Sequence, residues 1–448
     1  MNVTIIGLGY VGLPLAILVA IKGHKVIGYE IKQSVVDLIN SKNSHISDTK
    51  IQNDLELTKN NLIATTESDD LKDSKIFIIC VPTPVDKNND PDFKPLISAT
   101  NIISKYLKDG DLVIVESTVF PGTCEEIVLP ILKQTNKQFY LSHCPERVNP
   151  GDAFWNTENI PRVIGALTNK GAEKTAKFYQ TLLGGEIINV SDVKQKLRPK
   201  VVQDDRGYKI KSIDLGTITI MNSIRDAEAV KAMENTVRDV NIAFVNELAK
   251  ISEVLKLDVV DIIDGMSTKP FGKGPFYPGI GVGGHCIAVD PEWLKSASIK
   301  AGYFPKLIQL ARDTNNSMPE HAINLLEEEI VNLKDKKIAI LGVSYKKNIG
   351  DSRESPYYKV KKILMNKKAN IEVFDPFFKK ENTVLNLDEA LDKSDYIILV
   401  TDHDEFYEKL TSEYLKNKEI LGVIDGRNCL NSKSIKESNI FYKGIGKL

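Results

Sequence analysis

The sequence predicts an α/β protein in three parts: two helix-flanked parallel sheets on either side of an all-helical centre. Three observations carry this expectation. Strand-like and helix-like runs alternate through the first third of the chain. About thirty residues without Pro or Gly then keep an amphipathic helical pattern, and the alternation resumes near Lys334. A chain of 448 residues is also too long for one ordinary core.

In the first part the strand-like runs are Val3–Ile6, Lys25–Tyr29, Lys75–Val81, Leu112–Glu116 and Gln138–Ser142, each followed by a turn signal. Gly7-x-Gly9-x-x-Gly12 follows the first run directly and opens a helix that closes near Gly23. Glycines there permit a tight turn and a close backbone approach to a pyrophosphate on the helix N-terminus, so Gly7, Gly9, Tyr10, Val11 and Gly12 read as a cofactor loop. Glu30 ends the second strand about 20 residues on, where a carboxylate bonds ribose hydroxyls and repels a 2′-phosphate; NAD is favoured over NADP. An N-terminal Rossmann domain is thus expected over 1–193. Cys80-Val81-Pro82-Thr83-Pro84 and Glu116-Ser117-Thr118 sit at the carboxyl ends of later strands, where such sheets bind ligands, and read equally well as ordinary loops.

After Ile187–Val190 the composition changes, and Lys194–Ser212 is charged with little periodicity; 194–213 reads as an insertion or linker. Ser223-x-x-Asp226 resembles a helix-start box, and the helical pattern from about Asp226 to Leu257 spans on the order of 45 Å. This defines a central helical part, 214–325. Lys231, Asn235, Arg238 and Asn241 share one face of the long helix, opposite Val230, Val237, Phe244 and Leu248. Such a stripe is either a solvated surface or the wall of a polar cleft, where a lysine could stabilise an alkoxide or oxyanion. The loop Pro278-Gly279-Ile280-Gly281-Val282-Gly283-Gly284-His285-Cys286 is too glycine-rich to be chosen for core packing, and Asp290 follows four residues on. A cysteine there could trap an aldehyde as a thiohemiacetal and carry it to a thioester; the alternative is a small buried hydrophobe. Cys144, in His143-Cys144-Pro145-Glu146-Arg147, is a rival thiol. The last part, 326–448, repeats the sheet pattern with Lys337–Leu341, a helix from about Pro356 to Lys368, Ile371–Phe374, Tyr396–Val400 and Ile420–Ile424. It has Gly342 but no second G-x-G-x-x-G.

Composition narrows the function classes. Lys plus Arg number 59 against 60 Asp plus Glu, leaving no net field to attract nucleic acid or anionic lipid. No run of eighteen apolar residues suggests a membrane span. The five cysteines are widely spaced without a C-x-x-C pair, which reads as reduced thiols in a cytoplasmic chain. The six histidines show no metal-binding spacing, no metal is assigned, and His285 reads as shaping its loop rather than acting as a base.

Together Gly7–Gly12, Cys80–Pro84, Ser117-Thr118 with Pro121-Gly122-Thr123, Cys144–Arg147, Glu228 to Glu247, Gly283–Cys286, Leu341 to Ser355 and Asp425-Gly426-Arg427-Asn428 make the chain resemble the UDP-glucose/GDP-mannose dehydrogenase family over nearly its full length. The resemblance implies NAD-dependent, four-electron oxidation of C6 of a nucleotide sugar by a homodimer built around the central helices, with a C-terminal Rossmann-like domain binding UDP. By this resemblance Cys286 is the nucleophile, Lys231 and Asp290 stabilise the alkoxide and activate water, Asn235 and Thr118 orient sugar or water, and Glu146 acts in thioester hydrolysis. Pro82, Thr83, Thr118 and Arg353 join the cofactor loop. Glu146, Arg147, Lys231, Asn235, Arg238, Tyr277, Gly283, Lys346 and Arg427 hold the substrate.

The stretch Gly283 to Pro291 with Arg238 to Phe244 is similar to the branch acting on UDP-N-acetylmannosamine. Lys269-Pro270-Phe271-Gly272 and Asn149-Pro150-Gly151-Asp152 are similar to the UDP-N-acetylglucosamine branch. The UDP-glucose branch usually has Ser before the cysteine, where this chain has His285. A UDP-N-acetylhexosamine is the expected substrate, the manno epimer first. UDP-glucose oxidation and a non-catalytic NAD- or UDP-sugar-binding sensor are the alternatives.

Overall fold

The computed structural model describes residues 1–46, 48–84, 91–148, 154–197, 202–204, 207–209, 215–269 and 275–447; of these, 194–197, 202–204, 207–209 and 285 are described for backbone alone. The expected stretches at 149–152 and at 270–272 lie outside the described residues. The chain forms two compact units, Met1–Glu234 and Asn235–Leu448.

The strands of the first unit are β1 (Asn2–Ile6), β2 (Lys25–Tyr29), β3 (Leu62–Thr65), β4 (Ile76–Ile79), β5 (Leu112–Val115), β6 (Tyr140–His143), β7 (Arg162–Ala166), β8 (Ile187–Asn189), a separate antiparallel pair β9 (Val202–Asp204) and β10 (Gly207–Lys209), and β11 (Ile218–Ile220). Its main sheet runs β3-β2-β1-β4-β5-β6-β7-β11-β8, and among the described residues its neighbours pair in parallel except β6 with β7. Strands β4 (IFII) and β5 (LVIV) are apolar without a break because both sheet faces are covered. Ile76, Ile78, Leu112 and Ile114 enter one core, and Phe77, Ile79, Val113 and Val115 the other. The helices are α1 (Gly12–Ile21), α2 (Gln33–Asn40), α3 (Thr49–Leu57), α4 (Lys94–Ser104), α5 (Leu129–Lys133), α6 (Asn169–Leu183) and α7 (Val190–Leu197). The order β3-β2-β1-β4-β5-β6 places a topological switch between β1 and β4, and a ligand crevice opens at the carboxyl ends of those strands. Beyond the segment expected as an insertion the chain returns to this sheet, since β11 pairs with both β7 and β8.

Helix α8 (Ile224–Leu255) begins where Ser223 and Asp226 cap one another: the Asp226 N–H donates to Ser223 Oγ (3.1 Å), whose hydroxyl donates to the Asp226 carboxylate (2.8 Å). The division between the units falls inside this helix. In the second unit follow α9 (Val259–Ser267), α10 (His285–Lys300) and α11 (Lys306–Glu327), then β12 (Lys337–Leu341), α12 (Pro356–Asn366), β13 (Asn370–Phe374), α13 (Leu387–Asp392), β14 (Tyr396–Leu399), α14 (Asp404–Lys409), α15 (Ser412–Asn417), β15 (Gly422–Asp425), α16 (Ser432–Glu437) and β16 (Phe441–Gly444). Its parallel sheet runs β13-β12-β14-β15-β16, a second doubly wound order whose switch lies between β12 and β14. One face packs on α8, α9, α11 and α12; the other on α13 to α16. The α/β–α–α/β order read from the sequence is present.

Gly446 locks the far end of α8 to this sheet. Its N–H donates to Glu253 Oε1 (2.8 Å), its carbonyl accepts from Val259 N–H (2.8 Å), and a Cβ on it would lie 2.6 Å from Ala249.

Candidate active site

The candidate cofactor site of the first unit lies at the β1–β4 switch. Gly7, at φ 89°, donates its N–H to Tyr29 O (2.9 Å), turning the chain from β1 toward α1. A Cβ on Gly7 would lie 2.8 Å from Cys80 O, and one on Gly12 only 1.8 Å from Gly7 O, so the fold itself requires both glycines. Gly9 has nothing within 4 Å of its would-be Cβ, leaving its bare backbone open to a ligand. Tyr10 is exposed and Val11 half-buried beside it. Glu30 ends β2 against this loop: its Oε2 accepts from Leu8 N–H and its Oε1 from Lys32 N–H, both at 3.1 Å, which leaves lone pairs for ribose hydroxyls. A helix N-terminus, an open glycine and a fixed acid fit NAD.

Later strand ends join the same edge. The Thr83 hydroxyl donates to Thr118 O (2.8 Å) and ties the β4 loop, with exposed Pro82, to the β5 loop. After β6, Glu146 is buried; its Oε1 accepts from Arg147 N–H (2.6 Å) and Val148 N–H (2.7 Å), and its Oε2 meets Arg162 Nη1 at 3.1 Å. The Arg147 side chain pairs with Glu234, its Nε donating at 3.2 Å. Lys231 is buried on α8. On the same helix Glu228 accepts from Gly122 N–H (2.6 Å) and Cys124 N–H (2.7 Å), fixing the Pro121-Gly122-Thr123 turn. Cys144 is fully buried, and burial pushes its thiol well above the ordinary range, which makes it a poor nucleophile.

The candidate thiol belongs to the second unit. Cys286 is exposed at the second residue of α10, where a helix dipole favours an anion. Its loop is held by close packing: a Cβ on Gly283 would lie 2.7 Å from the Tyr345 side chain and 3.0 Å from Glu354 O, and Gly284 (φ 86°) donates its N–H to Arg353 O (2.9 Å). Upstream, Ile280 N–H donates to Gly426 O (3.0 Å), and Gly279 N–H to Asn246 Oδ1 (2.9 Å). Asn246 passes the contact to Asn315 (2.8 Å), and Asn315 to Asp239 (2.8 Å), which also binds Arg312 (2.7 Å). Asp290 is buried one turn beyond Cys286 and accepts from Asn235 Nδ2 at 2.6 Å.

Of the four polar residues expected on one face of α8, Lys231 and Asn235 are buried, Asn241 is half-buried and Arg238 is exposed. Val237 and Phe244, on the expected opposite face, are 50% and 58% exposed, so the buried side of the helix here is its polar side. Tyr277 is exposed and donates its hydroxyl to Asp264 (2.5 Å). Arg427 donates its Nε to Asp402 (3.2 Å), and its guanidinium abuts Gly279; Lys346 is half-buried after β12. Arg353 is paired with Asp351. Arg162, Tyr179, Asn246 and Arg312 were not legible as site residues, because their partners lie far off in sequence and no motif links them.

Among the described residues no group of three His, Cys, Asp or Glu side chains could hold a metal, and no helix is long and apolar enough to cross a membrane. A dinucleotide loop on one sheet and a thiol at a helix start beside a second define an NAD-dependent oxidoreductase. The model for the family's NAD binding domain matches residues 1–183, that for its central domain 225–317, and that for its UDP binding domain 339–432: the chain belongs to the UDP-glucose/GDP-mannose dehydrogenase family. It is an NAD-dependent nucleotide-sugar dehydrogenase.

Similar proteins include UDP-N-acetyl-D-mannosamine dehydrogenase of Methanococcus aeolicus, 34% identical over 99% of this chain and 95% of that protein. UDP-N-acetyl-D-glucosamine 6-dehydrogenase of Salmonella typhi is 33% identical over 90% of each. The solved structure of UDP-D-ManNAc dehydrogenase from Pyrococcus horikoshii superposes with a TM-score of 0.87 at 34% identity, covering 100% of this chain and 99% of that one.

Proposed function

We propose that the chain oxidises C6 of UDP-N-acetyl-D-mannosamine to the uronate in two successive oxidations, with UDP-N-acetyl-D-glucosamine the next candidate. The observation that carries the chemistry is the exposed Cys286 at the start of α10, in a loop packed too tightly for larger side chains. Relatives named for the manno sugar match along almost the whole chain, and His285 stands where the glucose branch usually has Ser. Bound NAD supplies the hydride acceptor. In this reading Lys231 stabilises the C6 alkoxide, and Thr118 and Asn235 orient sugar or water. The Cys286 thiolate adds to the aldehyde carbon to give a thiohemiacetal, whose oxidation leaves a thioester. Water attacks its carbonyl, the C–S bond breaks, and Glu146 and Asp290 assist the proton transfer. Gly7 to Gly12, Glu30, Pro82, Thr83 and Arg353 hold NAD. Arg147, Arg238, Tyr277, Gly283, Lys346 and Arg427 hold the sugar nucleotide.

The reading extends to the assembly. Val237, Phe244, Ile251, Val254 and Leu255 expose an apolar stripe on α8, and its last three residues with Leu310 of α11 line a depression of about 600 Å³. We assign it to a homodimer contact. Five widely spaced cysteines with no C-x-x-C pair accord with a cytoplasmic enzyme.

The test is turnover of UDP-N-acetylmannosamine, UDP-N-acetylglucosamine and UDP-glucose by the purified chain, with Cys286→Ser in parallel. The expected outcome is uronate from the manno sugar, and loss of uronate with retained NAD binding in the variant. Exclusive use of UDP-glucose would remove the substrate assignment, and full activity in Cys286→Ser would remove the mechanism.

A further inference from the structure

Behind Glu146 lies a buried charge cluster that no role above uses. Arg162, on β7, is fully buried, and its Nη1 stands between two carboxylates: Glu146 Oε2 at 3.1 Å and Glu116 Oε2 at 3.5 Å. The Tyr179 hydroxyl of α6 donates to the other Glu116 oxygen, and the Arg162 guanidinium lies 5.4 Å from the centre of the Tyr179 ring. Arg162 Nε and Nη2 have no hydrogen-bond partner among the described residues. One cation therefore serves two buried acids through a single nitrogen.

This arrangement bears on which Glu146 oxygen can work. Oε1 is occupied by two backbone N–H groups. Oε2 is the oxygen with capacity to take a proton, and Arg162 is bound to it. We propose that Arg162 and Glu116 are positioning residues for Glu146, Arg162 aiming Oε2 at the hydrolytic water while Glu116 competes for the same guanidinium nitrogen. The proposal rests on the hydrolytic role of Glu146 given above. The step it serves is balanced: water adds to the thioester carbonyl, its proton passes to Oε2, and the C–S bond breaks to return the Cys286 thiol and the uronate.

The groups facing Glu116 are Arg162 from β7, Tyr179 from α6, Cys80 after β4, and Cys144 and Glu146 after β6. Burial first, and then the neighbouring Glu146 charge, push Glu116 up to about 7 against the opposing pull of Arg162 and the Tyr179 hydroxyl. Below that pH a protonated Glu116 leaves Arg162 to Glu146 alone. Above it a second negative charge competes for Arg162 and loosens its hold on Glu146 Oε2.

The experiment follows single turnovers of the full-length enzyme with UDP-N-acetylmannosamine and NAD, recording NADH, released uronate and the mass of Cys286. Arg162→Met, Arg162→Lys, Glu116→Gln and Glu146→Gln are compared with the parent. Arg162→Met is expected to give a burst of two NADH per site, a trapped thioester mass on Cys286 and a tenfold or slower release of uronate, with Arg162→Lys partly restored. In the parent, thioester hydrolysis rises with pH through an inflection near 7; Glu116→Gln loses that inflection and still hydrolyses. If Arg162→Met does not fold, the Glu116→Gln profile decides. A proportional fall of burst and release in Arg162→Met, or an inflection retained in Glu116→Gln, overturns the positioning role while a stalled Glu146→Gln leaves the Glu146 assignment standing. Glu146→Gln hydrolysing at the parent rate overturns both.

Discussion

Gly9 and Gly12 separate two reasons for a glycine within one turn of chain. Gly12 is demanded by the protein itself, whose Gly7 carbonyl occupies the space of a side chain; Gly9 faces open space. Gly12→Ala is therefore expected to cost about 2–3 kcal/mol or to prevent folding. Gly9→Ala is expected to melt close to the parent yet bind NAD at least tenfold more weakly. Thermal unfolding and an NAD titration check the pair, and equal behaviour of the two variants would contradict the assignment. The glycine loop and Glu30 were legible because the strand, the turn and the acid follow one another at short range. Arg162 was not. An arginine starting one strand, a glutamate following another and a tyrosine on α6 carry no common spacing, and only the order of strands in the sheet brings them together.

At the scale of elements, β12 was read end to end and α8 within two residues at each terminus, since unbroken apolar runs and a long stretch free of Gly and Pro are strong local signals. Strands β3, β7 and β11 went unread. Their three to five residues alone resemble any short apolar run, and β11 joins its sheet only after the intervening charged segment. Helix α8 also shows why periodicity misleads about burial: it hides Glu228, Asn235, Asp239 and Asn246, each with a hydrogen-bonded partner, while Phe244 and Val254 remain exposed. An apolar stripe so placed calls for a covering surface. Phe244→Glu is expected to convert a dimer to monomers in sedimentation with little change in the melting of the chain. An unchanged sedimenting mass would exclude this stripe as the contact.

Across the whole molecule the same turn is built twice. Gly342 (φ 97°) leaves β12 and donates to Phe374 O (2.9 Å), as Gly7 leaves β1 and donates to Tyr29 O. In the second sheet the acid at the end of the neighbouring strand is Asp375, where Glu30 stands in the first. Asp375, however, accepts from the backbone N–H groups of Val343, Ser344, Phe377 and Phe378 and contacts His403 Nε2 at 3.2 Å. Although burial opposes it, His403 and the Ser344 and Val343 N–H groups hold this carboxyl below the usual range. Both its oxygens are thus committed, and a ribose would have to displace backbone bonds. Calorimetry is expected to find one NAD per chain, and a second equivalent of comparable affinity would refute this reading. The seat of Gly446 has a consequence for synthesis. Because the corner between α8 and α9 is closed by a residue made long after both helices, the distal lobe cannot reach its final packing while the nascent chain is still being extended through β12 to β16. The nucleotide-binding lobe has most of its strands in hand much earlier, so ribosomal delivery imposes an order of maturation in which the thiol-bearing half is finished last.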